Sequence, residues 1–175
     1  MNQEHIKFCP NCASDAARVA EGERKIVCPD CGFTLYFNTA AAVAALIFDA
    51  DGRLMVVSRN RDPQKGLLDL PGGFVDFGED AESALTREIR EELGADVEVC
   101  GYCKSMPNTY LYKGILYHTL DIFLTCRAKS GDLPLSSVRQ SDEIADIQYR
   151  HPRDIREDEI AFDSMKRIIN MLSNR

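Results

Sequence analysis

Gly73-Phe74-Val75-Asp76-Phe77-Gly78-Glu79-Asp80-Ala81-Glu82-Ser83-Ala84-Leu85-Thr86-Arg87-Glu88-Ile89-Arg90-Glu91-Glu92-Leu93-Gly94-Ala95 is the stretch on which the fold turns. It leaves a Leu70-Pro71-Gly72-Gly73 turn and becomes periodic from about Glu79 to Leu93. Ala81, Ala84, Leu85, Ile89 and Leu93 recur at three- and four-residue steps, so one stripe of a helix faces a core. Gly94 stops the helix, because glycine reaches the left-handed conformation of a C-terminal cap without steric cost. Glu88, Glu91 and Glu92 stand at i, i+3 and i+4, which places three carboxylates on one patch. Only Arg87 and Glu91 have favourable i, i+4 spacing, whereas each like-charge pair costs about 0.2–0.5 kcal/mol. A solvated acidic face is one reading of this patch. The other is a bound divalent cation: hard oxygen ligands suit Mg2+ or Mn2+, and Mg2+ is commonly shared between a few carboxylates and substrate phosphates.

Upstream, Ala42–Phe48 reads as a buried strand, Asp49–Gly52 as a turn and Arg53–Ser58 as the partner strand of a hairpin. A polar loop, Arg59–Gly66, leads into the glycine turn. Downstream, Val97–Tyr102, Tyr110–Tyr112 and Ile115–Cys126 have the β-branched and aromatic content of strands. Ser130–Pro134 breaks the chain, Ile144–Tyr149 reads as a last strand, and Ile160–Leu172 as an amphipathic helix.

The 175 residues suffice for one ordinary domain with a small appendage, and 45% hydrophobic content excludes a disordered chain. With 21 basic and 28 acidic residues the net charge is −7, so no electrostatic footprint for duplex nucleic acid or an anionic membrane is visible. The longest apolar run, Thr39–Phe48, is about half of the roughly 20 residues of a membrane-spanning helix. Met1–Lys7 is polar, unlike an export signal, and the expected location is cytoplasmic.

Seven cysteines cannot pair completely, and a reducing compartment turns attention to metal. Cys9-Pro-Asn-Cys12 and Cys28-Pro-Asp-Cys31 are separated by 15 residues, the Cys-x2-Cys spacing of a zinc ribbon. Four thiolates would complete a closed tetrahedral Zn2+ shell, which is structural because no coordination position stays open. Residues 1–37 hold too few apolar side chains (Ile6, Val19, Ile26 and Phe33 among them) for a free-standing core, so metal binding would supply their folding energy. Cys100, Cys103 and Cys126 lack a matching pair and are expected to be buried packing thiols; His5, His118 and His151 have no ligand spacing.

Gly73-x5-Glu79-x7-Arg87-Glu88-Ile89-x-Glu91-Glu92-x-Gly94-Ala95 matches the Nudix box at every fixed position, and the chain resembles the Nudix hydrolase family. Seven fixed residues would coincide by chance in roughly one window in 10⁸ to 10⁹. The resemblance implies an α/β fold, the Nudix α/β/α sandwich with a mixed β-sheet over residues 38–175, preceded by the ribbon at 1–37. It implies hydrolysis of a nucleoside diphosphate linked to another group, by water attacking a phosphorus whose charge is neutralised by bound metal. By position in the family motif, Glu88, Glu91 and Glu92 would hold Mg2+ or Mn2+, with the Gly72 carbonyl as a further ligand. Arg87 would orient the carboxylates, and Glu79 would support the loop. The general base is either a box glutamate or an acid on a later loop, where Glu143 falls. Gly72 and Gly73 suit a backbone that approaches metal and phosphate too closely for a Cβ.

A ribbon ahead of a Nudix domain resembles the NADH pyrophosphatase branch. Lys104-Ser105-Met106-Pro107 falls where that branch carries Ser-Gln-Pro-Trp-Pro-Phe-Pro, but Met106 and Asn108 depart from it and the later prolines are absent. In their place Asn108, Tyr110 and Tyr112 offer amide and aromatic groups for a base, and Arg59 and Arg61 lie near enough to the glycine turn to meet phosphate. The expected substrate is adenine-containing, a dinucleotide such as NADH or FAD, or ADP-ribose. The competing readings are a non-catalytic nucleotide sensor or RNA-binding ribbon module, and a pyrophosphatase that clears nucleoside triphosphates. Capped RNA stays open as a substrate, and a homodimer is a family expectation.

Overall fold

The computed structural model describes residues 6–19, 24–129 and 142–174. The chain-break at Ser130–Pro134 and His5, read from the sequence, lie outside them. The N-terminal part is a three-stranded antiparallel sheet of β1 (Arg18–Val19), β2 (Lys25–Val27) and β3 (Thr34–Tyr36). Its buried cluster consists of Cys9, Ala17, Ile26 and Cys28, two of the four being cysteines, while Phe8 and Tyr36 are exposed. Apolar packing in this part is as thin as its composition implies.

β4 (Ala40–Ile47) is the spine of the rest. It pairs in parallel with β9 (Ile115–Ala128) and antiparallel with β7 (Gly72–Phe74), and β8 (Val97–Tyr112) closes the mixed sheet in the order β7-β4-β9-β8. A second, antiparallel sheet has the order β10-β5-β6, from Ile144–Arg150, Leu54–Arg59 and Leu68–Asp69. Side chains alternate across both sheets with the two-residue period of a strand. Val43, Ala45, Ile47, Met55 and Val57 pack with Leu85, Ile89 and Leu93 of α1 (Ala81–Leu93). Ala44, Leu46, Leu54 and Val56 pack on the opposite side with Met165, Ile168 and Ile169 of α2 (Asp163–Ser173). The result is the expected α/β/α arrangement.

Three sequence expectations are corrected. The strands flanking Asp49–Gly52 do not form a hairpin: they share one bridge, Phe48 to Leu54, and then diverge into different sheets, because both edges of β4 are taken by β7 and β9. Val97–Tyr102 and Tyr110–Tyr112 are one continuous strand, which tolerates Pro107 because β8 is an edge whose outer side needs no amide donor. The last helix starts at Asp163 rather than Ile160, since Ile160 bridges to Leu68 and the Ala161 amide donates to the Leu68 carbonyl at 2.9 Å.

Candidate functional site

The box helix is fixed at both ends. Asp80 caps its N-terminus by accepting from the Ser83 amide at 2.7 Å, and Gly94 closes it at φ 65° with its amide on the Arg90 carbonyl. Arg87 organises the residues between. Its Nε and Nη2 bind the two carboxylate oxygens of Glu79 at 2.8 and 2.9 Å, and Nη2 also donates to the Phe74 carbonyl at 3.0 Å. Its Nη1 reaches Glu88 at 2.9 Å and Glu91 at 3.2 Å. Glu79 is therefore the anchor of Arg87, and its carboxyl is held below its ordinary range by that pairing. Burial, opposed by Arg87, leaves the Glu88 carboxyl above its ordinary range.

Glu92 turns the other way, onto the glycine turn, where its Oε2 accepts from the Gly72 amide at 2.9 Å. Its carboxyl is pushed up to about 8, chiefly by burial and further by the negative charges of Glu88, Asp69 and Glu143, against the Gly72 bond. Packing restricts Gly72 severely, and Gly73 is crowded by the far end of the Glu88 side chain. A Cβ on Gly72, at φ 147°, would lie 2.1 Å from the Val43 carbonyl oxygen, and one on Gly73 would lie 2.5 Å from the Glu88 carboxylate. The donor set here, carboxylate and carbonyl oxygen, suits a hard divalent cation. Arg87 bridges Glu88 and Glu91, and the Gly72 amide holds Glu92 on the glycine turn; among the described residues the four cysteines are the only set of three or more ligand-type side chains drawn within 4.8 Å.

A cleft runs from this floor to the aromatic end of β8. Gly72, Gly73, Glu92, Arg59, Arg61, Asn108, Tyr110 and Glu143 all line it. Glu143 sits at the rim, with Arg61 Nη1 2.5 Å from its Oε1 and both side chains about half exposed. Arg59 is committed internally: Nη1 donates to Asp69 at 2.8 Å, Nε to the Pro63 carbonyl at 2.9 Å, and its guanidinium lies 4.9 Å from the Phe162 ring centre. Tyr110 stands 6.2 Å from Phe74 and 5.8 Å from Phe162, centre to centre, and all three rings line the cleft. Tyr112 is not among the cleft residues; it stacks behind Tyr110 at 6.0 Å.

Sequence reading missed the buried polar residues of the cleft. Asp69, Thr119 and Asp121 are all buried in it, and Ser164 is buried just behind. Burial, opposed by Arg59, raises the Asp69 carboxyl to about 6. The only sequence signal was an acid set within an apolar run, as in Leu68-Asp69-Leu70 and Leu120-Asp121-Ile122. Cys126 is buried as expected and Cys103 half-buried, but Cys100 is exposed, because it falls on the outward-facing register of an edge strand.

The four N-terminal cysteines converge as their spacing implies. Cys9 and Cys31 sulfurs lie 3.7 Å apart, as do those of Cys12 and Cys28. Two sulfurs of a tetrahedral site with metal–sulfur bonds of about 2.3 Å are separated by roughly 3.8 Å, so the geometry fits Zn2+. Each Cys-x2-Cys segment is the same turn: the Ala13 amide returns to the Cys9 carbonyl and the Gly32 amide to the Cys28 carbonyl, both at 2.9 Å. The amide of Phe33 and the side chain of Asn11 lower the Cys31 thiol to about 6, whereas, against the Ser14 amide, the Cys31 sulfur and burial raise the Cys12 thiol to about 12.

Comparison with known proteins identifies the family. Residues 38–171 match the family model described as the NUDIX domain. The chain is 30% identical over 145 residues to a protein named NAD-capped RNA hydrolase NudC from Pseudomonas aeruginosa, covering 83% of this chain and 48% of that one. Over 62 residues it is 44% identical to an ADP-ribose pyrophosphatase of Methanocaldococcus jannaschii, covering 35% of this chain and 36% of that protein. The chain thus spans about half or less of the length of these relatives. A NUDIX hydrolase structure from Nitrosomonas europaea superposes over 97% of this chain and 92% of its own, with TM-score 0.73 and 21% identity, a likeness of fold. With its box helix, glycine turn and sheets arranged in this way, the chain belongs to the NUDIX family.

Proposed function

We propose that the chain is a metal-dependent Nudix pyrophosphohydrolase that cleaves the diphosphate of an adenine-containing nucleoside diphosphate derivative, a dinucleotide or ADP-ribose, and releases a nucleoside monophosphate. The observation that carries this reading is the joining of Glu92 to Gly72 on the floor of the cleft that Asn108 and Tyr110 also line. Carboxylates and a ring platform in one cleft suit a substrate with a diphosphate at one end and a base at the other. The relatives named for NAD-capped RNA, ADP-ribose and NAD(P)H support the same class.

In this reading Glu88, Glu91, Glu92 and the Gly72 carbonyl would hold Mg2+ or Mn2+, which when bound would supply charge neutralisation of the diphosphate and a more acidic water. Arg87, clamped by Glu79, sets the rotamers of Glu88 and Glu91. Glu143 at the rim accepts the proton of the water and Arg61 meets phosphate, while Arg59 braces Asp69 and Phe162. Tyr110 stacks the base and Asn108 hydrogen-bonds it. Residues 1–37 form a unit stabilised by structural Zn2+, residues 38–175 the catalytic unit. No helix among the described residues is long and apolar enough to cross a membrane.

The test is a turnover screen of NADH, NAD, FAD, ADP-ribose, NAD-capped RNA, nucleotide sugars and nucleoside triphosphates with Mg2+ or Mn2+. Metal-dependent release of a nucleoside monophosphate from the adenine-containing diphosphates is the expected result, AMP from the small molecules and nicotinamide mononucleotide from NAD-capped RNA. Cleavage of triphosphates only, or nucleotide binding without turnover, overturns the reading in favour of a sanitising enzyme or a sensor.

A further inference from the structure

Asp121 is 4% exposed and has no ion-pair partner among the described residues, yet it lines the substrate cleft. Its two oxygens are held separately: Oδ1 accepts from the Thr119 hydroxyl at 2.7 Å, and Oδ2 from the hydroxyl of Ser164, in the first turn of α2. Burying a carboxylate without a counter-charge is costly, and two hydroxyls compensate only part of that cost. The nearby cation of the cleft, Arg59, is committed to Asp69, a second buried acid that faces Asp121 electrostatically. An ionised carboxylate accepts about four hydrogen bonds, so each oxygen of Asp121 retains capacity beyond its hydroxyl. The arrangement is a rigid acceptor without a cation, at the end of the cleft walled by Phe74, Tyr110 and Phe162.

Asn108 stands directly opposite Thr119 in the β8–β9 ladder, and both line the cleft. An amide supplies a donor as well as an acceptor, so next to the Asp121 carboxylate this end of the cleft offers two acceptors and one donor beside stacked rings. A base that brings an exocyclic N–H donor to Asp121 and a ring acceptor to the amide of Asn108 satisfies it. Adenine does so with its 6-amino group beside N1, whereas hypoxanthine presents a 6-carbonyl at the same position and would set oxygen against carboxylate.

We infer that Asp121, positioned by Thr119 and Ser164, is the specificity-determining residue of the base subsite and selects a nucleobase through its exocyclic amino group. This rests on the proposed nucleotide pyrophosphohydrolase reading and deepens it from an adenine-containing substrate to the atom that is read. A site built around a donor rejects the analogue lacking it strongly, because its own acceptor is then left unmatched.

The experiment has a binding arm and a turnover arm. Calorimetry on the wild-type protein compares AMP, IMP and N6,N6-dimethyl-AMP, the last having lost both amino protons. AMP is expected to bind at least tenfold more tightly than either analogue, and ADP-ribose to exceed its inosine counterpart by at least tenfold in kcat/KM. In Asp121→Asn the AMP-to-IMP preference falls to near one or reverses, since one acceptor becomes a donor. In Ser164→Ala one oxygen of Asp121 loses its donor, so the preference is expected to fall part of the way towards that of Asp121→Asn, and an unchanged preference removes Ser164 from the positioning role. Equal binding of the three nucleotides by the wild type, or a folded Asp121→Asn variant with its preference intact, overturns the inference. Absence of turnover with the AMP preference intact instead overturns the hydrolase reading, so the two failures are distinguishable.

Discussion

The Gly72 amide donates to Glu92 Oε2 at 2.9 Å, and this single bond ties the glycine strand β7 to the last turn of α1. It also spends one of few donors within reach of a carboxylate that faces Glu88, Asp69 and Glu143. A group so placed gains from a cation more than from any neighbour in the chain.

Glu92→Gln keeps the Gly72 bond through its amide oxygen, so the fold is expected to persist and the metal-free protein to melt at the same or a slightly higher temperature. Turnover should fall at least about a hundredfold, roughly 2.7 kcal/mol of barrier. Steady-state kinetics over a Mg2+ titration, with circular dichroism as the control for folding, decides it; turnover near that of the wild type removes Glu92 from the metal site.

The two adjacent glycines should respond oppositely to alanine. At Gly72 the new methyl would meet strand backbone 2.1 Å away in a conformation that L-residues rarely adopt, a conflict costing about 3 kcal/mol or more and lowering the melting temperature by about 6 °C or more. At Gly73 the clash is with the far end of the Glu88 side chain, which can swing aside. Gly73→Ala should therefore melt within about 2 °C of the wild type yet lose tenfold or more in kcat, having displaced Glu88 from its proposed place on the metal. Thermal melts set beside kcat for both variants test the contrast.

The ribbon contains four ligand sulfurs and few other buried groups, so its order should depend on metal. Purified protein is expected to carry about one zinc per chain, and structural sites of this kind contribute roughly 10 to 16 kcal/mol of apparent binding energy. Chelation, or Cys9→Ser, should expose residues 1–37 to protease while the transition of the two larger sheets stays cooperative. Metal analysis without zinc, or unchanged proteolysis, would contradict this.

What was legible in the sequence is local or periodic. The helical stripe ending in Leu93-Gly94 and the paired Cys-x2-Cys turns are each complete within a few residues, and both appear as read. The failures concern partners distant along the chain. Ala42–Phe48 next to Arg53–Ser58 has the local appearance of a hairpin, but strand pairing is decided by β9, more than 60 residues later. The spacing of Arg59 from the glycine turn suggests reach to a phosphate but carries no sign of its partners Asp69 and Phe162. Asp121 and Ser164 are 43 residues apart and belong to no spacing motif, so only the packing of α2 on β9 brings them together.

The structure also separates two tyrosines that the sequence treats alike. Tyr110 lies in the cleft near Phe74 and Phe162; Tyr112, next but one on β8, lies outside the cleft and stacks on Tyr110 at an interplanar angle of 26°. If Tyr110 is the stacking face for the base, its removal should cost about 1 to 3 kcal/mol, or roughly tenfold or more in kcat/KM. Tyr112→Ala removes only a support, and a loss below about threefold is expected. Tyr110→Phe retains the ring and should restore most of the activity, because stacking needs the π-face and not the hydroxyl. Measuring kcat and KM separately for the three variants on one adenine-containing diphosphate tests this. Equal losses for Tyr110→Ala and Tyr112→Ala would mean that the hairpin acts as a unit, and activity unaffected by either would move base stacking to Phe74 and Phe162.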